Sequence, residues 1–377
     1  MEKKKVSRRS FVRNVGLGVS SAAILPSLVS FNDHLTKRYK NNTGKKLNVA
    51  LCGLGRYANI LAIGLSESKF CKLSGIITGT PEKAISWKRK YGIPEKNIYN
   101  YESFDEIAKN KDIDLVYVVL PNGMHKEYTI RAAKAGKHVI VEKPMAITEK
   151  DCQEMIDTCK RANVKLAVGY RLHFEPHHIE IKRLGQEKVF GEVRLIDASL
   201  GYNLTGTPLG DWHLNKSLAG GGALMNLGVY CIQSNRYVLG EEPISVTAQF
   251  APKTMPELFK EVEENITWQL NFPNGAICTS SVTSNCNIDR FYASAENGFF
   301  ELSPAISYGP FKGRTSEKEF DFPIINQQAA QLDGIGKLIL EGKELPKHIT
   351  GEEGLKDMRV IEAIYKAAET GKRIELG

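Results

Sequence analysis

The feature that most restricts the fold is a short apolar strand running straight into a glycine turn. Leu47-Asn48-Val49-Ala50-Leu51-Cys52 leads directly into Gly53-Leu54-Gly55-Arg56-Tyr57-Ala58. In such a turn the first glycine permits the tight bend and the second lets the backbone approach a pyrophosphate. The small third residue lets the following helix lie close on the sheet. A glycine turn alone is a weak signal, and its setting makes it a strong one. Strand-like runs at 72–78, 114–120, 138–142 and 165–169 alternate with helical stretches, one of them at about 82–91. The run at 114–120 is almost continuously apolar, as in a strand buried on both faces. The alternation predicts a doubly wound parallel sheet over residues 46–170, an α/β fold. The turn then predicts a dinucleotide with its phosphates at the helix N-terminus.

Beyond Tyr170 the texture changes. Strands are expected at 192–199, 244–250, 265–271, 276–284, 290–295 and 298–302, with Pro273-Asn274-Gly275 and Glu296-Asn297-Gly298 as turns. One helix is expected at about 223–239 and a closing one at 351–370. In the latter, Leu355, Met358, Ile361, Ile364, Tyr365 and Ala368 share a face and Gly371 supplies the stop.

The net charge of +8 is concentrated at the start, where residues 1–30 carry Lys3, Lys4, Lys5, Arg8, Arg9 and Arg13 against Glu2 alone. The remaining excess is small, so no nucleic-acid partner is expected. Ser7-Arg8-Arg9-Ser10-Phe11-Val12-Arg13, followed by a Gly- and Ser-containing apolar run to Val29, reads as a twin-arginine export signal over residues 1–30. That run is too short for a membrane span. The expected location is therefore periplasmic, and the polar stretch 31–45 is an expected arm. The seven cysteines follow no metal-ligand spacing, so neither a metal site nor an essential disulfide is expected.

Ligands of open α/β sheets bind at the carboxyl ends of the strands. The second strand ends Ile77-Thr78-Gly79-Thr80-Pro81-Glu82-Lys83 and lacks the acidic residue that would hold both ribose hydroxyls of NAD. Lys83 brings a positive charge suited to a 2′-phosphate, so NADP is the expected cofactor and NAD the alternative. The third and fourth strands end in Leu120-Pro121-Asn122-x-x-His125 and Glu142-Lys143-Pro144, and a lysine there is a candidate for proton chemistry.

Glu142-Lys143-Pro144, Gly169-Tyr170-Arg171 and the run from Leu218 through Gly220-Gly221-Gly222 to Tyr230 resemble the Gfo/Idh/MocA family, and within it the glucose–fructose oxidoreductase type. The likeness continues through 237–244 and 351–374. It implies a C-terminal α+β domain at 171–377 with a large, mostly antiparallel sheet and a final helix packed near the Rossmann domain. It also implies hydride transfer between tightly held NADP and a sugar or polyol, and a homo-oligomer, dimer or tetramer. Two alternatives stay open: a dinucleotide-dependent glycoside hydrolase of the same family, and a dinucleotide-binding protein impaired in catalysis. By position Lys143 and Tyr230 match the family's catalytic pair. The implied dinucleotide contacts are Gly53, Gly55, Arg56, Tyr57, Thr78, Gly79, Lys83, Leu120, Asn122, His125, Glu142, Lys143 and Arg171, with Trp212 and Tyr308 beside them. A phenol is a weak base at neutral pH, and a neighbouring ammonium favours its anion. Two departures fall on the sugar side. Asn226 stands where the family pattern has aspartate, and Trp212-His213 where the glucose–fructose type has Trp-Arg.

Overall fold

The computed structural model describes residues 44–377. The expected export signal and all but the last two residues of the arm lie outside the described residues. From Lys46 onward the chain is one compact unit.

Six parallel strands form the first sheet: β1 (Leu47–Cys52), β2 (Cys71–Ile77), β3 (Ile98–Tyr99), β4 (Leu115–Val118), β5 (His138–Val141) and β6 (Leu166–Val168). Their order is β3-β2-β1-β4-β5-β6, so the winding reverses between β1 and β4. Leu115 through Val118 are fully buried because helices cover both faces. These helices include α1 (Arg56–Glu67), α2 (Pro81–Tyr91), α3 (His125–Lys134) and α4 (Glu149–Arg161). Strand β3 has only two residues, too few to show any periodicity, and the sequence reading did not include it.

After α5 (Pro176–Gln186) comes the second sheet, of eight strands. It contains β7 (Val193–Gly201), β8 (Ser245–Phe250), β9 (Asn265–Asn271), β10 (Ile277–Thr283), β11 (Ile288–Ala295), β12 (Gly298–Leu302), β13 (Gly313–Thr315) and β14 (Ile374–Glu375). Only the β7–β10 pair is parallel. Alternation sets its faces: Ile196, Ala198 and Leu200 are buried, and so are Ile266, Trp268 and Leu270.

One expected helix is altered. Residues 223–239 do not form a single α-helix: Leu224–Gly228 is a wide π-turn, preceded by α6 (Lys216–Ala219) and continued by α7 (Val229–Leu239). A helix absent from the sequence reading, α8 (Gln327–Leu340), starts at Asn326, whose side chain accepts from the N–H groups of Gln328 and Ala329. It packs on α1, and the closing α9 (Gly351–Thr370) packs on α4, β6 and β8.

Candidate active site

The carboxyl ends of β1, β4, β5 and β6 bring the sequence-singled residues to one edge. At the β1–α1 turn Gly53 has φ +101°, and a Cβ there would lie 2.5 Å from the Val119 carbonyl oxygen. Only glycine lets this turn press against the end of β4. Around Gly55 the situation is the reverse, since a Cβ would meet nothing within 4 Å. Gly55 is the N-cap of α1, whose first turn has no side-chain cap and no acidic residue. Its free N–H groups beside open space fit a pyrophosphate. At the end of β2, Thr78 is buried and its hydroxyl accepts from the Thr80 N–H at 3.2 Å. Gly79 faces the Tyr101 ring, and Lys83 is exposed on the first turn of α2. Residues 78–80 contain no carboxylate.

Lys143 stands after β5. Its Nζ donates to the main-chain carbonyl of Asn226 at 2.8 Å and lies 4.4 Å from the centre of the Tyr230 ring. The preceding Glu142 has other partners, among them the Lys143 main-chain N–H at 3.2 Å. It accepts from the Tyr117 hydroxyl at 2.6 Å, and that hydroxyl accepts from Gln331 at 2.7 Å. Burial raises the Glu142 carboxyl above its ordinary range, while Tyr117 and Lys143 pull the other way.

Three residues expected at the dinucleotide have other partners. The ring nitrogens of His125 face the carbonyls of Pro144 (2.9 Å) and Leu120 (2.8 Å), so neither is left to bond a ligand. Burial pushes this histidine down to about 4. Asn122 donates to the Ala219 carbonyl at 2.9 Å and ties the end of β4 to α6. Arg171, 3% exposed, donates to the carbonyls of Ile306 and Ser307 and to the Gln327 side chain. Buried Leu120 takes part through its main chain, on His125.

Around Tyr230 the chain gathers aromatic rings. The Arg171 guanidinium carbon lies 5.4 Å from the Tyr230 ring centre and 4.7 Å from that of Tyr308. The Tyr308 ring lies 6.4 Å from Tyr57 on the first turn of α1. Burial raises the Tyr57 phenol, reinforced by the charge of Glu142, while Arg171 opposes the shift. Trp212 is joined less directly: it stacks on His213 at 3.7 Å, in a short turn beside α6.

The π-turn carries Asn226 and its placement has a clear cause. The buried carboxylate of Glu263 accepts from the N–H groups of Gly222 and Leu224, each at 2.8 Å, and from the Tyr365 hydroxyl at 2.9 Å. A Cβ on Gly222 would sit 1.9 Å from the Glu263 carbonyl oxygen. The wide turn changes the main-chain bonding register, as π-turns at functional sites often do, and the Asn226 carbonyl bonds Lys143.

Sequence reasoning missed Tyr202, Glu263 and Asp289. Tyr202 follows β7, and burial pushes its phenol up to about 12, with Asp289, Tyr230, Arg171 and Arg56 all close enough to act on it. No local pattern marks these residues; the register of the second sheet brings them in. Behind Tyr230 lies a small apolar cavity of about 30 Å³, also lined by His173, His178 and Ile306.

Two family models match the chain: an oxidoreductase family with an NAD-binding Rossmann fold over residues 47–170, and the GFO/IDH/MocA C-terminal domain over 178–301. The chain belongs to the GFO/IDH/MocA family. It is an NAD(P)-dependent oxidoreductase. Among solved GFO/IDH/MocA structures, the aldose–aldose oxidoreductase of Caulobacter crescentus, in complex with glycerol, is 41% identical. It matches with a TM-score of 0.84 over 88% of this chain and 100% of that one. A D-xylose 1-dehydrogenase (NADP(+)) of Haloarcula marismortui is 28% identical over 349 residues, 89% of this chain and 94% of the relative. A 1,5-anhydro-D-fructose reductase of Ensifer adhaerens is 26% identical over 334 residues, 86% and 97% of the two chains.

Proposed function

We propose that this GFO/IDH/MocA protein transfers hydride between tightly held NADP and the CH–OH group of an aldose or related polyol. The observation that carries the reading is the Lys143–Tyr230 contact at the sheet edge, 4.4 Å from ammonium to ring centre. The aldose–aldose relative at 41% identity supports the substrate class. The NADP preference rests on the absence of a carboxylate at residues 78–80, on exposed Lys83, and on the NADP(+) named for the xylose dehydrogenase relative.

Oxidising a sugar hydroxyl requires a proton to leave oxygen while hydride leaves carbon. The dinucleotide, when bound, supplies the hydride acceptor, with Gly53, Gly55 and the first turn of α1 around its phosphates. Tyr230 takes the hydroxyl proton. Lys143, fixed by the Asn226 carbonyl, stabilises the phenolate that does so. Tyr57 and Tyr308 offer flat apolar faces near the reacting group, and Asn226 offers a neutral amide to a sugar hydroxyl.

The decisive experiment denatures the purified protein, identifies the released dinucleotide, and adds candidate aldoses to the holoenzyme in a stopped-flow spectrometer. NADP is expected, with reduction at the nicotinamide band by at least one aldose. Tyr230→Phe should lower that rate by ~10²–10⁴ while keeping the dinucleotide. NAD alone, or an unchanged rate in Tyr230→Phe, would refute the reading.

Export to the periplasm by the twin-arginine route and homo-oligomerisation, as dimer or tetramer, belong to the same proposal. They rest on Arg8 and Arg9 and on the polar arm at 31–45. Arg8→Lys with Arg9→Lys should hold folded precursor in the cytoplasm. Sedimentation at micromolar concentration should give at least twice the mass of one chain.

A further inference from the structure

Asp289 on β11 spends its carboxylate on consecutive main-chain N–H groups. Oδ1 accepts from Ala305 at 2.9 Å and Ile306 at 2.6 Å, and Oδ2 accepts from Ser307 at 2.9 Å. The carbonyls of the same segment face a cation. Those of Ile306 and Ser307 accept from Arg171, the second at 3.2 Å, and the Gln327 side chain takes a further bond. Residues 305–307 are thus held between an anion on their N–H side and a buried cation on their carbonyl side. Tyr308 follows directly, with its ring against that same cation.

Arg171 is buried, and among the described residues no carboxylate pairs with it. A buried guanidinium is costly to keep without a counter-ion. Here neutral oxygens and the electron-rich faces of Tyr230 and Tyr308 supply the compensation. The Arg171 charge acts on Tyr57, Tyr202, Tyr308 and Glu142, lowering each against the effect of burial.

We infer that Arg171 is a second cation acting on Tyr230 beside Lys143, and that Asp289 is the positioning residue that keeps it there. Arg171 thereby serves the tyrosine. The inference rests on the reading of Tyr230 as the proton-transfer group. Other groups also surround Tyr230. Tyr57, Tyr202 and Tyr308 are neutral phenols, all raised chiefly by burial. On the cavity side burial lowers both His173 and His178. Glu142 is bonded to Tyr117, Asp289 is consumed by the loop, and Arg56 is exposed at the mouth.

The test is an ultraviolet difference titration of the holoenzyme against its Tyr230→Phe variant, which isolates the phenolate absorbance of Tyr230 without any sugar. In the Arg171→Gln background the midpoint should rise by about one pH unit or more, since a charge at this range typically moves a titration by ~1–3 units. Arg171→Lys should restore most of the difference, Asp289→Asn should give a smaller rise, and all variants should retain dinucleotide. An unmoved midpoint in Arg171→Gln, with or without loss of dinucleotide, overturns the inference. If Arg171→Gln does not fold, an unmoved midpoint in Asp289→Asn overturns it instead. Failure of the functional reading would appear separately, as a holoenzyme that no aldose reduces or a Tyr230→Phe variant with unchanged rate.

Discussion

Lys143 reaches Asn226 through the main-chain carbonyl, 2.8 Å from its ammonium, and not through the side chain. The side chain at position 226 is therefore free to vary without unseating the lysine. That explains how asparagine can stand where an acidic residue is expected, and it separates two roles that the sequence alone merges. The lysine is placed by the π-turn, while the side chain of residue 226 takes no part in that contact.

The first prediction follows from that separation. Asn226→Asp should leave dinucleotide retention unchanged and raise kcat/KM toward glucose by about tenfold. A charge-assisted hydrogen bond to a sugar hydroxyl is worth ~1.5–3 kcal/mol, against ~1 for a neutral one. Stopped-flow reduction of the holoenzyme across a glucose series measures it. A loss of bound dinucleotide would instead place residue 226 on the cofactor side.

Gly222 supplies the second. Its substitution by alanine drives a methyl group into the Glu263 carbonyl oxygen, a backbone atom that cannot step aside. Gly222→Ala should cost ~1–3 kcal/mol or more in denaturant unfolding. It should also lower kcat, because the displaced turn carries both Asn226 and the start of α7. Gly55→Ala, where a Cβ meets only open space, should leave stability within ~1 kcal/mol while weakening dinucleotide binding.

Glu142 gives a paired test. Glu142→Gln keeps an acceptor for the Tyr117 hydroxyl and removes a charge that burial already disfavours, so stability should change by less than ~1 kcal/mol. Glu142→Ala strands the hydroxyl beside a new cavity and should cost ~2–4 kcal/mol. Equal losses from both variants would show that the charge itself is required.

Stability should also fall in mild acid. Burial holds His125 and His348 down to about 4, below the 6.5 of an unburied histidine. Between those values the unfolded chain binds protons that the folded chain refuses. The stabilisation is thus complete above pH 6.5 and lost as pH falls toward 4. Thermal unfolding followed from pH 7 to pH 4.5 should show a falling Tm, and His125→Gln should flatten the slope.

The parallel sheet was legible because its strands are short, mostly apolar runs between helical stretches, and the Gly53 turn fixes where a ligand approaches. β3 escaped because two residues carry no pattern. The π-turn escaped because its apolar spacing differs from that of an α-helix by less than a five-residue window resolves. His125 and Arg171 stood out in the sequence at the right edge of the sheet, but the carbonyls that hold both of them are encoded by no side-chain pattern. Asp289 and Glu263 act across about sixteen and forty residues of chain respectively, on main-chain N–H groups. Such contacts become visible only once the second sheet has set its register.

Helices α8 and α9, drawn from the last fifty-odd residues, lie on α1, α4 and β6 of the first sheet. The nucleotide-binding half emerges first from the ribosome, yet part of its outer surface is made last. A nascent chain therefore carries an apolar flank on that half throughout the synthesis of the second sheet. Its final closure waits on residues 327–370, which ties maturation of the cofactor-binding end to synthesis of that distant segment.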